Sequence, residues 1–300
     1  MYAFPMKSFY SLQAASFDPL NSCRSKSMHK LFLLVLTTLL LCMSCGRYPE
    51  KHSDRVLFVG NSLTYVGNLP ASFSALASAN GHSVSSDMIV RGGATLSERV
   101  ADGSVARALT ARRYTAIVLQ ERGGDLMCSF GPDSCIQSRQ AIKILANLAR
   151  KKGLTVVLLG TYQSLPLPSR RLVQEESSAA ADAGIPYIDV SERLQRLRSM
   201  APELTWFYTD GMHPGKDLVL LDAILIYKQL LGSYPDAKSF TVNAPIYTSA
   251  SGLTEVLRPS DSAPPKADTP HEVSYASATV EKILATISKD GSGYRILPTH

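Results

Sequence analysis

The chain has 300 residues, 45% of them hydrophobic, with 31 Lys and Arg against 25 Asp and Glu. That is enough apolar material for a sizeable core, which excludes a natively disordered chain. Lys7, Arg24, Lys26, Lys30 and Asp18 fall within the first 44 residues, leaving 27 basic against 24 acidic beyond them. No basic stripe with interleaved aromatics appears, so nothing argues for a nucleic-acid partner.

In chain order, residues 1–27 show no sustained pattern and read as an extension ahead of a true start at Met28. Met28-His-Lys30 leads into the apolar run Leu31 to Leu41, the layout of a bacterial export signal. The run is shorter than the roughly 20 apolar residues that a membrane span needs. Cys42-Met-Ser-Cys-Gly46 resembles a lipoprotein processing site with Cys45 as the lipidated residue. Residues 28–45 therefore read as a signal peptide; ordinary cleavage nearby and an uncleaved anchor are the alternatives. The expected location is the bacterial cell envelope, periplasm or outer surface, with a membrane touched only through that lipid. Residues 46–54 read as a linker.

From residue 55 the chain alternates strand and helix signals, which predicts a parallel sheet covered on both faces. Val56 to Val59 is a short apolar run ending in Gly60-Asn61-Ser62, where Gly permits a tight reversal. Leu69 to Ser78 is helical in spacing, with Pro70 in its first turn. Ser83–Val90, Tyr114–Leu119, Leu154–Leu159 and Pro186–Val190 supply four more strands. Helical spacing covers Leu96–Thr110, Gln137–Lys152, Leu172–Ala183 and Leu218–Leu231. The expected domain spans residues 55–232: a flavodoxin-like, three-layer α/β/α sandwich around a parallel sheet of about five strands. Residues 233–300 read as an extension, with a flexible Pro-rich linker over 258–271 and a short helix over Ala276–Ser288.

Two stretches carry chemistry. Ser62 is expected just past a buried strand, in the turn to a helix, where α/β folds place reactive groups. Thr209-Asp-Gly-Met-His-Pro214 sets a carboxylate three residues before an imidazole. Asp210 can then orient His213 while the ring's other nitrogen faces a nucleophile, and neutral His is the usual base for a serine hydroxyl. Within the folded region the cysteines are Cys128 and Cys135. They can close a small disulfide loop in an oxidising compartment or stay two thiols. No Cys/His set has zinc spacing, and neither metal nor cofactor is expected.

Gly60-Asn-Ser-Leu63 and Asp210-Gly-Met-His-Pro214 resemble the first and last blocks of the SGNH (GDSL-like) hydrolases. Arg91-Gly-Gly-Ala-Thr-Leu96 resembles the second block, with Gly93 at the oxyanion-hole glycine. The third block departs: Ile117-Val-Leu-Gln-Glu-Arg-Gly123 replaces the common Gly-x-Asn-Asp and resembles a secreted subgroup with a Leu-Gln-Glu version. The resemblance, over roughly residues 55–232, implies a catalytic triad of Ser62, His213 and Asp210. It implies an oxyanion hole from the Ser62 and Gly93 N–H groups, with the Gln120 amide standing where the Asn is missing. The implied function is an exported serine esterase on small acyl esters, an O-acetyl carbohydrate esterase by preference. A lipase or thioesterase of the same fold, or a non-catalytic surface lipoprotein binding glycan or protein, are the alternatives.

Overall fold

The computed structural model describes residues 54–288, except 164, 165 and 255. The expected export signal, the Cys45 site and nearly all of the linker lie outside the described residues, as does the chain from 289 on.

Five strands run parallel: β1 (Asp54–Gly60), β2 (Val84–Val90), β3 (Ala116–Leu119), β4 (Thr155–Leu159) and β5 (Tyr187–Ile188). Farther along, β6 (Phe240–Asn243) pairs with β8 (Glu272–Tyr275) in a separate antiparallel ribbon. Between them β7 (Arg258–Pro259) adds antiparallel to β2, giving the order β5-β4-β3-β1-β2-β7. The five parallel strands are the number expected, and β7 is an added antiparallel edge. A two-residue edge strand carries no alternation pattern, so the sequence of residues 258–271 read only as linker.

The helices are α1 (Ser62–Tyr65), α2 (Leu69–Ala79), α3 (Leu96–Ala101), α4 (Ser104–Ala111), α5 (Pro132–Arg150), α6 (Pro166–Ala183), α7 (Ser191–Met200), α8 (Lys216–Leu231) and α9 (Ser277–Ile287). The single helix expected over 96–110 is two, because the chain turns at Gly103 with φ +66°. Successive strand residues point to opposite faces. Val56 and Phe58 of β1, with Ala116 and Val118 of β3, enter the core shared with α2, α7, α8 and α9. Leu57, Val59, Ile117 and Leu119 enter the core shared with α3, α4, α5 and α6. The result is a three-layer α/β/α fold with flavodoxin-type strand order. Its order reverses between β1 and β3, which opens a crevice at their carboxyl ends.

The C-terminal stretch belongs to the same core. Phe240, Val242, Tyr247, Tyr275, Val280, Ile283 and Ile287 are buried in it. Asn68 ties that stretch down. It is fully buried, caps α2 through Ala71 N–H, and its Nδ2 donates to the Pro245 and Ser260 carbonyls, both at 2.8 Å.

Candidate active site

The turn after β1 is set by sterics. A Cβ on Gly60 would collide with Thr64 Oγ1 and lie 3.3 Å from the Gln120 carbonyl, so only glycine lets the chain pass. Asn61 caps α1: its Oδ1 accepts Leu63 N–H at 3.0 Å, and its carbonyl accepts Thr64 and Tyr65 N–H. Asn61 therefore shapes the turn. Ser62 follows as the first residue of α1, half-buried, and its N–H has no partner within the helix.

Gly92 and Gly93 leave the carboxyl end of β2 as an exposed turn. Gly93 has φ +69° with open space where a Cβ would stand, so its backbone faces outward unobstructed. The turn runs through Thr95, which caps α3 in a reciprocal box with Glu98.

At the end of β3, Gln120 and Glu121 diverge by strand parity. Gln120 is 1% exposed; its Oε1 accepts the Thr64 hydroxyl at 2.6 Å and its Nε2 lies 3.5 Å from the Gly160 carbonyl. Its amide is thus committed inward, toward α1 and β4. Residue 120 shares the parity of Ala116 and Val118, which line the core on that face. Glu121 points to the other face, also 1% exposed, and its Oε1 accepts Leu96 N–H at 3.1 Å and Arg122 N–H at 2.9 Å. Burial pushes its carboxyl up to about 7, against the lowering pull of those N–H groups and of the Ser138 hydroxyl.

The Asp210–His213 segment is the tip of a self-closed loop. Tyr208 N–H donates to the His213 carbonyl at 2.8 Å, and Gly215 N–H to the Trp206 carbonyl at 2.9 Å. Gly211, at φ +67°, makes the turn. Asp210 Oδ1 accepts Met212 and His213 N–H, both at 2.9 Å, and its Oδ2 lies 2.8 Å from His213 Nδ1. The His213 and Met212 N–H groups hold the Asp210 carboxyl down at about 2, so it is ionised at neutral pH. Tyr162, just past β4, donates its hydroxyl to the Met212 carbonyl at 3.1 Å and packs on Phe207. This ties the loop to the carboxyl edge of the sheet, where Ser62 and Gly93 also stand. Sequence reading missed Tyr162, Thr64 and the Glu121 contacts; strand parity was the signal available for Gln120 and Glu121.

Beside this edge, Cys128 and Cys135 are joined by a disulfide. Arg122 donates to both oxygens of the buried Asp125 at 2.7 and 2.9 Å and lies 3.8 Å over the Phe130 ring. A groove of about 600 Å³ opens at the opposite, amino edge, lined in part by Arg55, Ser74, Ser86 and Arg112. Both guanidiniums there bond to the buried Asp87, at 2.9 and 2.8 Å. None of the residues lining that groove is one of the site residues described above.

No protein-family model matches the chain, and no curated protein matches it. Among solved structures, the chain is similar to a protein of Slackia heliotrinireducens assigned to the SGNH hydrolases, at 24% identity and a TM-score of 0.48, over 59% of this chain and 98% of that one. It is similar to an acetylxylan esterase of Geobacillus stearothermophilus at 12% identity and a TM-score of 0.47, over 59% of this chain and 93% of that one. A third, from Parabacteroides merdae and assigned as a GDSL-like lipase, shares 12% identity at a TM-score of 0.47, over 59% of this chain and 94% of that one.

Proposed function

We propose that the chain is an exported SGNH-type serine esterase acting on small acyl esters, O-acetylated carbohydrate first among them. The observation that carries the reading is the Asp210–His213 pair. One carboxylate both closes the loop through two backbone N–H groups and holds His213 Nδ1 at 2.8 Å. That leaves Nε2 as the free, basic nitrogen, on the sheet edge that carries Ser62. In the reaction, His213 Nε2 takes the Ser62 hydroxyl proton as Oγ bonds to the ester carbonyl carbon. The tetrahedral oxyanion accepts the N–H groups of Ser62 and Gly93. His213 returns the proton to the leaving alcohol, and a water then repeats the cycle to release the acid. The glycan preference rests on the motif resemblance and the expected export.

A fluorophosphonate probe tests the reading. Wild type labels and releases acetate from acetylated sugars, and Ser62→Ala does neither. A folded wild type that never labels leaves the binding-lipoprotein alternative.

A further inference from the structure

We propose that Gln120 and Glu121 are positioning residues that brace the two backbone segments of the oxyanion hole, and that the hole has two donors. The inference rests on the esterase reading above and deepens it. Neighbouring strand residues must point to opposite faces, so one dipeptide at the end of β3 can grip structure on both sides of the sheet. Toward one face Gln120 Oε1 accepts the Thr64 hydroxyl at 2.6 Å, holding the α1 turn that presents Ser62 N–H. Toward the other, Glu121 Oε1 accepts Leu96 N–H at 3.1 Å, where the Gly92–Gly93 turn enters α3. Both side chains are 1% exposed, so neither reaches substrate. On the Glu121 side the same oxygen also accepts Arg122 N–H at 2.9 Å, from its own strand end. The charged groups facing it are Asp125 and the Arg122 guanidinium, which are paired with each other.

A preorganised donor is effective only if its backbone does not shift when charge develops on the substrate oxygen. Loosening either grip should therefore act on kcat and leave substrate binding nearly unchanged. Three variants test this: Glu121→Met removes the acceptor, Glu121→Gln keeps one acceptor oxygen at the same volume, and Thr64→Val removes the hydroxyl without changing shape. On an aryl acetate, Glu121→Met and Thr64→Val are expected to lose about tenfold or more in kcat, with KM within about twofold. Glu121→Gln should recover most of the loss. Amide hydrogen exchange at Leu96 should quicken in Glu121→Met and return toward wild type in Glu121→Gln. Thr64→Val introduces no buried charge and tests the Gln120 arm should Glu121→Met not fold. Folded variants with wild-type kcat, or a kcat loss that Gln does not rescue, overturn the brace. A wild type that neither labels nor hydrolyses instead overturns the esterase reading and the brace with it; the exchange experiment still reports separately whether Glu121 holds Leu96.

Discussion

Asp210 does two jobs with separate oxygens, which makes them separable. Asn at this position keeps an oxygen for the Met212 and His213 N–H groups but presents an amide N–H donor, not an acceptor, to His213 Nδ1. The loop should stay closed while the ring loses the partner that fixes its tautomer. Asp210→Asn is therefore expected to melt within a few degrees of wild type and to lose about 10³- to 10⁴-fold in kcat, read by ester hydrolysis alongside a thermal melt. Charge on Asp210 is not a pH liability. Its carboxyl, held at about 2, stays ionised until the medium falls well below the usual carboxylate range.

At the scale of elements, the segments that meet at the site are fixed by short, local rules, and the reach of those rules decides what could be read in advance. Gly60-Asn-Ser announces a tight turn because the constraint lies within five residues. Asp210 and His213 are legible because an Asx-type turn is a local device. Helix α7 escaped notice because, among Glu192, Arg193, Arg196 and Arg198, it presents little apolar pattern beyond Leu194 and Leu197. For Gln120 the amide chemistry was legible, while its bond to Thr64, 56 residues upstream, was not. The partner of Glu121 was out of reach, since Leu96 lies 25 residues upstream. The same limit hid Asn68, whose partners are 177 and 192 residues away. Asn68→Ala would forfeit a helix cap, leave two buried carbonyls unpaired and hold Ala at φ 55°. It is expected to cost about 3–5 kcal/mol in urea denaturation; a loss under about 1 kcal/mol would show that the C-terminal stretch does not depend on it.

For the molecule as a whole, buried acids set the pH response. Glu176, on α6, is buried against the end of β4, where its oxygens accept Thr161 N–H, the Thr161 hydroxyl and the Tyr187 hydroxyl. Burial nevertheless raises its carboxyl to about 7, as it does for Glu121, and pushes Asp222 up as well. An acid raised on folding keeps its proton where the unfolded chain has released it. The share that Glu176 and Glu121 contribute therefore falls as pH rises from 4.5, the ordinary Glu value, to about 7. Each of these two removes about 1.4 kcal/mol per pH unit inside that window. Urea midpoints are expected to drop between pH 5 and pH 7. Glu176→Gln should flatten the slope by one group's share; an unchanged slope would show that Glu176 is ionised in the folded protein throughout.

The two-residue strand β7 has a consequence for how the protein meets its neighbours. Pairing with β2 covers the middle of the rim that β2 would otherwise present, at Asp87 and Met88, and Pro259 has no N–H to offer a further strand. On that flank the sheet ends in a proline stop drawn from the far end of the chain. Growth by strand addition, the route by which one copy could template onto another, meets there a ladder interrupted at its middle.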